Sequence, residues 1–147
     1  MTSKMDVYAL CPCGSGKKVK FCCHAVLGEM DKVARLHETK QSAQALSVLE
    51  RLAEKHPEAP IVFITRTQLL MEERRFDEAA MTMRGFLKDN PDSSHGIGLL
   101  AYARFMDVGF QEAKPEIHRA FQICPQSSPD VIGSLASQIA DDVFYSS

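Results

Sequence analysis

The sequence predicts an all-α fold, a superhelix of about seven helices arranged as hairpins, preceded by a small cysteine-rich knuckle. Two observations carry this. Prolines stand at positions 57, 91 and 125, spaced 34 residues apart, each after a run with helical patterning. Four of the five cysteines fall within one stretch, Cys11 to His24, which reads C-P-C-G-S-G-K-K-V-K-F-C-C-H. Self-similarity at one fixed period signals an array of units, each too small to bury its apolar face alone. At 147 residues and 45% apolar content, the chain suffices for one domain with an appendage. The boundaries read as 1–25 for the knuckle and 26–147 for the array. The array divides into 26–59, 60–93, 94–127 and a final helix over 128–145.

Each unit of the array shows the same columns counted back from its proline. Ala45, Ala79 and Ala113 stand twelve residues before it, Leu49, Met83 and Ile117 eight before, and Leu52, Phe86 and Ala120 five before. Their neighbours Ala53, Leu87 and Phe121 also align. Offsets of 4, 3 and 1 place these columns on one helical face. The small alanine admits a close neighbour, and the proline after the last turn ends the helix. The helix ahead of each column set is predicted over Val26–Glu38, Pro60–Arg74 and Ser94–Val108, with Ser128–Tyr145 as a last, capping helix. Asp77 is expected to cap the second helix of its unit, with Phe76 as a hydrophobic staple. Gly109 and Phe110 make the equivalent turn one unit later. Pro115 falls inside the second helix of the third unit, which is expected to start late or kink there.

Residues 26 to about 145 resemble the tetratricopeptide repeat (TPR) family in period and in these columns. That family usually places an aromatic residue early in the first helix, then a leucine-glycine pair and a tyrosine. Phe63 fits the first of these; Thr67 and Ala101 replace the glycine, and Glu29 takes the aromatic position of the first repeat. The resemblance implies three repeats and one extra helix, curved into a scoop whose concave wall is built from the first helices. Those helices carry Ile61, Ile64, Met71, Leu99, Tyr102 and Phe105, most of which are expected to pack between helices. A groove of this kind implies a protein partner, an amphipathic helix or an extended peptide. The chain ends with apolar Val143, Phe144 and Tyr145, so a longer array or pairing with a second copy are the alternatives to a capping helix. The sequence leaves the oligomeric state open.

The knuckle is basic where the array is acidic. Residues 1–24 carry Lys4, Lys17, Lys18 and Lys20 against Asp6, for +3, while residues 25–147 carry 13 Lys/Arg against 18 Asp/Glu, for −5. The array is therefore no general nucleic-acid binder, and any attraction to phosphate sits at the knuckle. Equally, four thiolates with one divalent ion sum to −2, which the lysines nearly offset. Two cysteines one residue apart, an eight-residue gap, then two adjacent cysteines and a histidine supply the soft ligands of a tetrahedral metal site. Gly14 and Gly16 let the backbone turn so that N–H groups meet sulfur. Val19 and Phe21 are expected to supply the knuckle's only apolar packing. A disulfide between adjacent Cys22 and Cys23 would be strained.

The stretch from Cys11 to His24 resembles the SEC-C motif, the small zinc-binding module at the C-terminus of the bacterial translocation ATPase SecA. Both the C-x-C, eight-residue, C-C spacing and the G-S-G-K-K interior match. Val19 departs from it, since an aromatic residue is usual there. By position, the resemblance implies Cys11, Cys13, Cys22 and Cys23 as metal ligands, with His24 as an alternative to Cys23. Zinc is the implied ion and iron the alternative. A closed four-ligand site leaves no position for substrate, so the role it implies is structural. In SecA the module contributes to binding the chaperone SecB and engages the ribosome, which implies a docking role here.

No signal peptide opens the chain and no apolar run approaches a membrane span, so a reducing cytoplasm is expected, where clustered cysteines hold metal rather than disulfides. His37, His56, His95 and His118 share no ligand spacing on one helix face, and Cys124 reads as a small apolar residue before Pro125. The G-S-G-K-K run is no P-loop, because it lacks the G-x-x-x-x-G-K-[ST] spacing and a leading strand. No nucleophile, base or paired carboxylates suggest catalysis. The expected protein is a bacterial, non-enzymatic adaptor with a zinc knuckle. Its alternatives are a nucleic-acid- or ribosome-binding knuckle using Lys17, Lys18, Lys20 and Phe21, or an accessory subunit of a larger enzyme or secretion-related complex.

Overall fold

The computed structural model describes residues 6–11, 16–123, 133 and 135–141. Its helices keep the period of the sequence. Three of them have fourteen residues each, α2 (Ser42–Lys55), α4 (Phe76–Asp89) and α6 (Phe110–Ile123), and their first residues are 34 apart. Between them run α1 (Leu27–Glu38), α3 (Pro60–Glu72) and α5 (Ser94–Val108). Two 3-10 turns, Val19–Phe21 and His24–Val26, precede α1, and residues 135–141 are again helical, here α7. Among the described residues there is no strand, only one antiparallel bridge between Leu10 and Lys18. The fold is all-α.

Three of the four repeated columns form the buried face of α2, α4 and α6, while the fourth lies at its edge, with Ala53 and Leu87 half-buried and Phe121 exposed. Ala45, Leu49 and Leu52, then Ala79, Met83 and Phe86, then Ala113, Ile117 and Ala120 are all buried. Burying a side chain such as Leu49 or Met83 is worth about 1.5–3 kcal/mol, which is why these positions fix the helices. Thr67 and Ala101 are buried as well. The Thr67 hydroxyl donates to the Phe63 carbonyl at 2.8 Å, so this polar group is satisfied within its own helix.

The chain divides into two compact units, residues 1–74 and 75–147. In the first, α2 packs against both α1 and α3. Its core takes Val33 from α1, Val48, Leu49 and Leu52 from α2, and Val62 and Leu69 from α3. Arg66 on α3 pairs with Glu50 on α2 at 3.7 Å, and His37 on α1 with Glu72 on α3 at 2.6 Å. In the second, α5 packs against both α4 and α6. Its core is formed by Ile97, Ala101, Phe105, Ala113, Ile117, Ala120 and Leu135, the last from α7. Ser93 caps α5, its hydroxyl accepting from the Gly96 N–H at 3.1 Å. Arg104 on α5 donates to the Glu116 carboxylate at 3.1 Å and the Glu112 carbonyl at 3.4 Å, tying α5 to α6.

Several boundaries differ from the sequence expectation. Val26 belongs to a 3-10 turn, so α1 starts one residue later, and α3 ends at Glu72 rather than Arg74. Asp77 does not cap α4. The cap position is Arg75, with no side-chain capping bond, and Asp77 lies in the first helical turn, where its charge still favours the helix dipole. Pro115 neither delays nor ends α6, which begins at Phe110. The proline ring removes the N–H that would reach the Gln111 carbonyl, but both residues are exposed, where a freed carbonyl is open to water rather than buried without a partner. Gly109 does make the predicted turn, at φ 87° and ψ 176°, a conformation open essentially to glycine alone. Most of the expected final helix, Ser128–Tyr145, lies outside the described residues.

Candidate metal centre

The knuckle is built by local backbone pairing. Residues 7–11 run beside 17–20. The Cys11 N–H donates to the Lys17 carbonyl at 2.8 Å, the Val19 N–H to the Ala9 carbonyl at 3.0 Å, and the Lys20 N–H to the Val7 carbonyl at 2.8 Å. Gly16 is left-handed at φ 79°, a turn that glycine makes without strain. The first 3-10 turn then carries the chain round to Cys22, whose N–H donates to the Val19 carbonyl at 3.0 Å. Val19 and Val26 are fully buried beneath the turns.

This folding brings Cys11, Cys22 and Cys23 together, with their sulfurs all within 4.8 Å of one another. Cys11 and Cys23 are buried and Cys22 is half-buried; none of the three is in a disulfide. The Cys22 and Cys23 sulfurs are 3.7 Å apart. A tetrahedral zinc site with Zn–S bonds near 2.3 Å has an S···S edge of about 3.8 Å, so this spacing fits two ligands of one ion. It is far too long for an S–S bond. Cys13 lies outside the described residues, as does Cys124. His24 is exposed in the second 3-10 turn and does not join the trio. The residues present therefore fit a thiolate-bound metal, and three of the four cysteines named by spacing converge.

A contact from far along the chain completes the surroundings. The backbone N–H of Ile61, the second residue of α3, donates to the Cys23 sulfur at 3.5 Å. The first N–H groups of a helix have no partner within it. Pro60 has none to give, and the Val62 N–H reaches back to the Ala59 carbonyl at 3.2 Å. Repeat patterning placed Ile61 on a first helix of the array, apart from the knuckle, and missed this role. The sequence signal was indirect: a proline opening a helix makes the next amide the first one in need of an acceptor.

The outer face of the knuckle is aromatic and basic. Phe21, expected to pack inside, is instead 71% exposed, and Val19 alone of that pair is buried. A three-residue turn has room beneath it for one apolar side chain, and Val19 occupies it. Tyr8 and Leu10 are also exposed. The Lys20 ammonium stands 5.4 Å from the Tyr8 ring centre and 5.9 Å from that of Phe21, and Lys17 and Lys18 are exposed as well. Two grooves lie elsewhere. One, of about 540 Å³, runs along α1 and α3 and is lined by Val7, Leu27, Met30, His37, Ile61 and Glu72 among others. The second, of about 870 Å³, lies along α6 and α7 and is lined largely by apolar residues such as Phe110, Ile117, Phe121 and Ile139. Among the described residues no helix is long and apolar enough to cross a membrane. Comparisons with protein families, with curated proteins and with solved structures find no match.

Proposed function

We propose that this chain is a non-enzymatic adaptor. A SEC-C-type knuckle holds one structural zinc ion through Cys11, Cys22, Cys23 and Cys13, and TPR-like helical hairpins bind a segment of another protein. The convergence of three cysteine sulfurs, two of them 3.7 Å apart, carries this reading. Zinc bound there would act as a cross-link between the ends of the knuckle and offer no open position for substrate. Its test is metal analysis of protein purified under reducing conditions. One tightly held zinc per chain is expected, and it should be lost in Cys11→Ser. Protein without metal under those conditions would refute the reading.

A second reading rests on the outer face of the same knuckle. Exposed Phe21 and Tyr8 flank Lys20, beside exposed Lys17 and Lys18, a combination that stacks on bases and neutralises phosphate. On this reading the knuckle binds single-stranded RNA. Affinity should then fall steeply as salt rises and vanish when Lys17, Lys18 and Lys20 are all changed to Ala. No RNA binding at low salt removes this alternative and leaves the adaptor reading standing.

A further inference from the structure

We infer that the metal centre extends into the helical array, with the Ile61 backbone N–H on α3 as an outer positioning donor to the Cys23 thiolate. The inference deepens the zinc reading and rests on it. The geometry is the 3.5 Å contact between the Ile61 nitrogen and the Cys23 sulfur, made across 38 residues of sequence. Cys23 is fully buried, so its sulfur depends on protein donors rather than water to stabilise the thiolate charge. The Ile61 amide in turn needs an acceptor, because its helix offers none. Each group meets the other's requirement.

Two consequences follow. The donor fixes the direction of the Cys23 sulfur and so contributes to metal affinity, as outer donors to ligand atoms generally do. Conversely, an ion held by Cys23 fixes the start of α3. Ile61 lines the groove along α1 and α3, and so does Val7, whose carbonyl accepts from Lys20 within the knuckle. Metal occupancy is thereby linked to the order of one end of that groove. A cysteine cluster whose only task was to fold the N-terminal stretch would have no such reach.

The test uses the full chain and zinc alone as probe. Affinity is measured by competition with a chromogenic chelator under reducing conditions. A backbone ester at position 61, introduced by incorporating the α-hydroxy acid corresponding to isoleucine, removes the N–H and keeps the side chain. It should weaken zinc binding about 10- to 100-fold, while Ile61→Val, which keeps the donor, should bind like the parent. Hydrogen exchange on the unaltered protein supplies an independent readout. Zinc should slow exchange of the Ile61 amide by about tenfold or more relative to amides in the last turn of α3. An ester variant with parental affinity, or a loss of equal size in Ile61→Val, overturns the inference. So does an Ile61 amide that is indifferent to zinc in protein that binds one equivalent. Parent protein that takes up no zinc fails at the earlier step and refutes the zinc reading itself.

Discussion

Lys40 and Arg74 both have φ of 60°, in the left-handed region that ordinary residues avoid, and they stand 34 residues apart at the ends of α1 and α3. At Lys40 the reason is visible in the backbone. Its N–H donates to the His37 carbonyl at 3.0 Å, and the Gln41 N–H donates to the Leu36 carbonyl at 2.8 Å. Together these bonds close the helix with a left-handed residue, a place where glycine is usual. A side chain there costs about 1–2 kcal/mol, part of which glycine returns through its freer unfolded chain. Lys40→Gly is therefore expected to raise stability by up to about 1 kcal/mol in urea unfolding. Gly109 presents the opposite case. Its φ of 87° and ψ of 176° suit glycine only, so Gly109→Ala should lower stability by about 1–3 kcal/mol in the same measurement. Equal effects of the two substitutions, or a destabilised Lys40→Gly, would contradict this account of the turns.

At the scale of the helix, α6 starts at Phe110 and continues through Pro115 where sequence logic allowed a delayed start. The helix survives because Ala113, Ile117 and Ala120 are buried while Pro115 and Gln111 are exposed. Burial of one face outweighs one missing hydrogen bond on the other. Arg104 adds support by holding the Glu112 carbonyl and the Glu116 carboxylate. Pro115→Ala should restore the bond to Gln111 and stabilise the protein by about 1–3 kcal/mol. Thermal unfolding would read this as a raised midpoint, and an unchanged or lowered midpoint would show that the ring itself contributes packing. The same balance explains what was legible beforehand. Ala45, Leu49 and Leu52 and their counterparts could be read because buried columns repeat with the period of the fold. The start of α4 could not, because a short acidic residue such as Asp77 serves equally as a cap or in the first turn, and the buried face does not distinguish them.

For the molecule as a whole, the question is what holds a basic N-terminal stretch in shape ahead of an acidic helical array. The convergence of Cys11, Cys22 and Cys23 was legible from spacing, since cysteines close in sequence leave a pattern. Ile61 was not, because a backbone donor 38 residues away leaves none. Among the described residues up to position 26, the buried apolar groups are Cys11, Val19, Cys23 and Val26. So small a core offsets little of the entropy of ordering the stretch, and on the zinc reading a bound ion would supply the remainder. Lys17, Lys18 and Lys20 report on this directly. Their side chains are exposed and open to trypsin, but the Lys17 and Lys18 carbonyls accept from Cys11 and Phe21, and the Lys20 N–H donates to Val7. A protease needs those peptides extended and unpaired, so cleavage there samples the open knuckle. Chelation is expected to speed cutting after these three lysines about tenfold or more, and added zinc should reverse it. Far-UV dichroism should change little, because the six long helices lie outside the knuckle. If cleavage after Lys17, Lys18 and Lys20 proceeds at one rate with and without the ion, in protein that binds it stoichiometrically, the backbone pairing of the knuckle is self-supporting. The ion would then be cargo rather than structure.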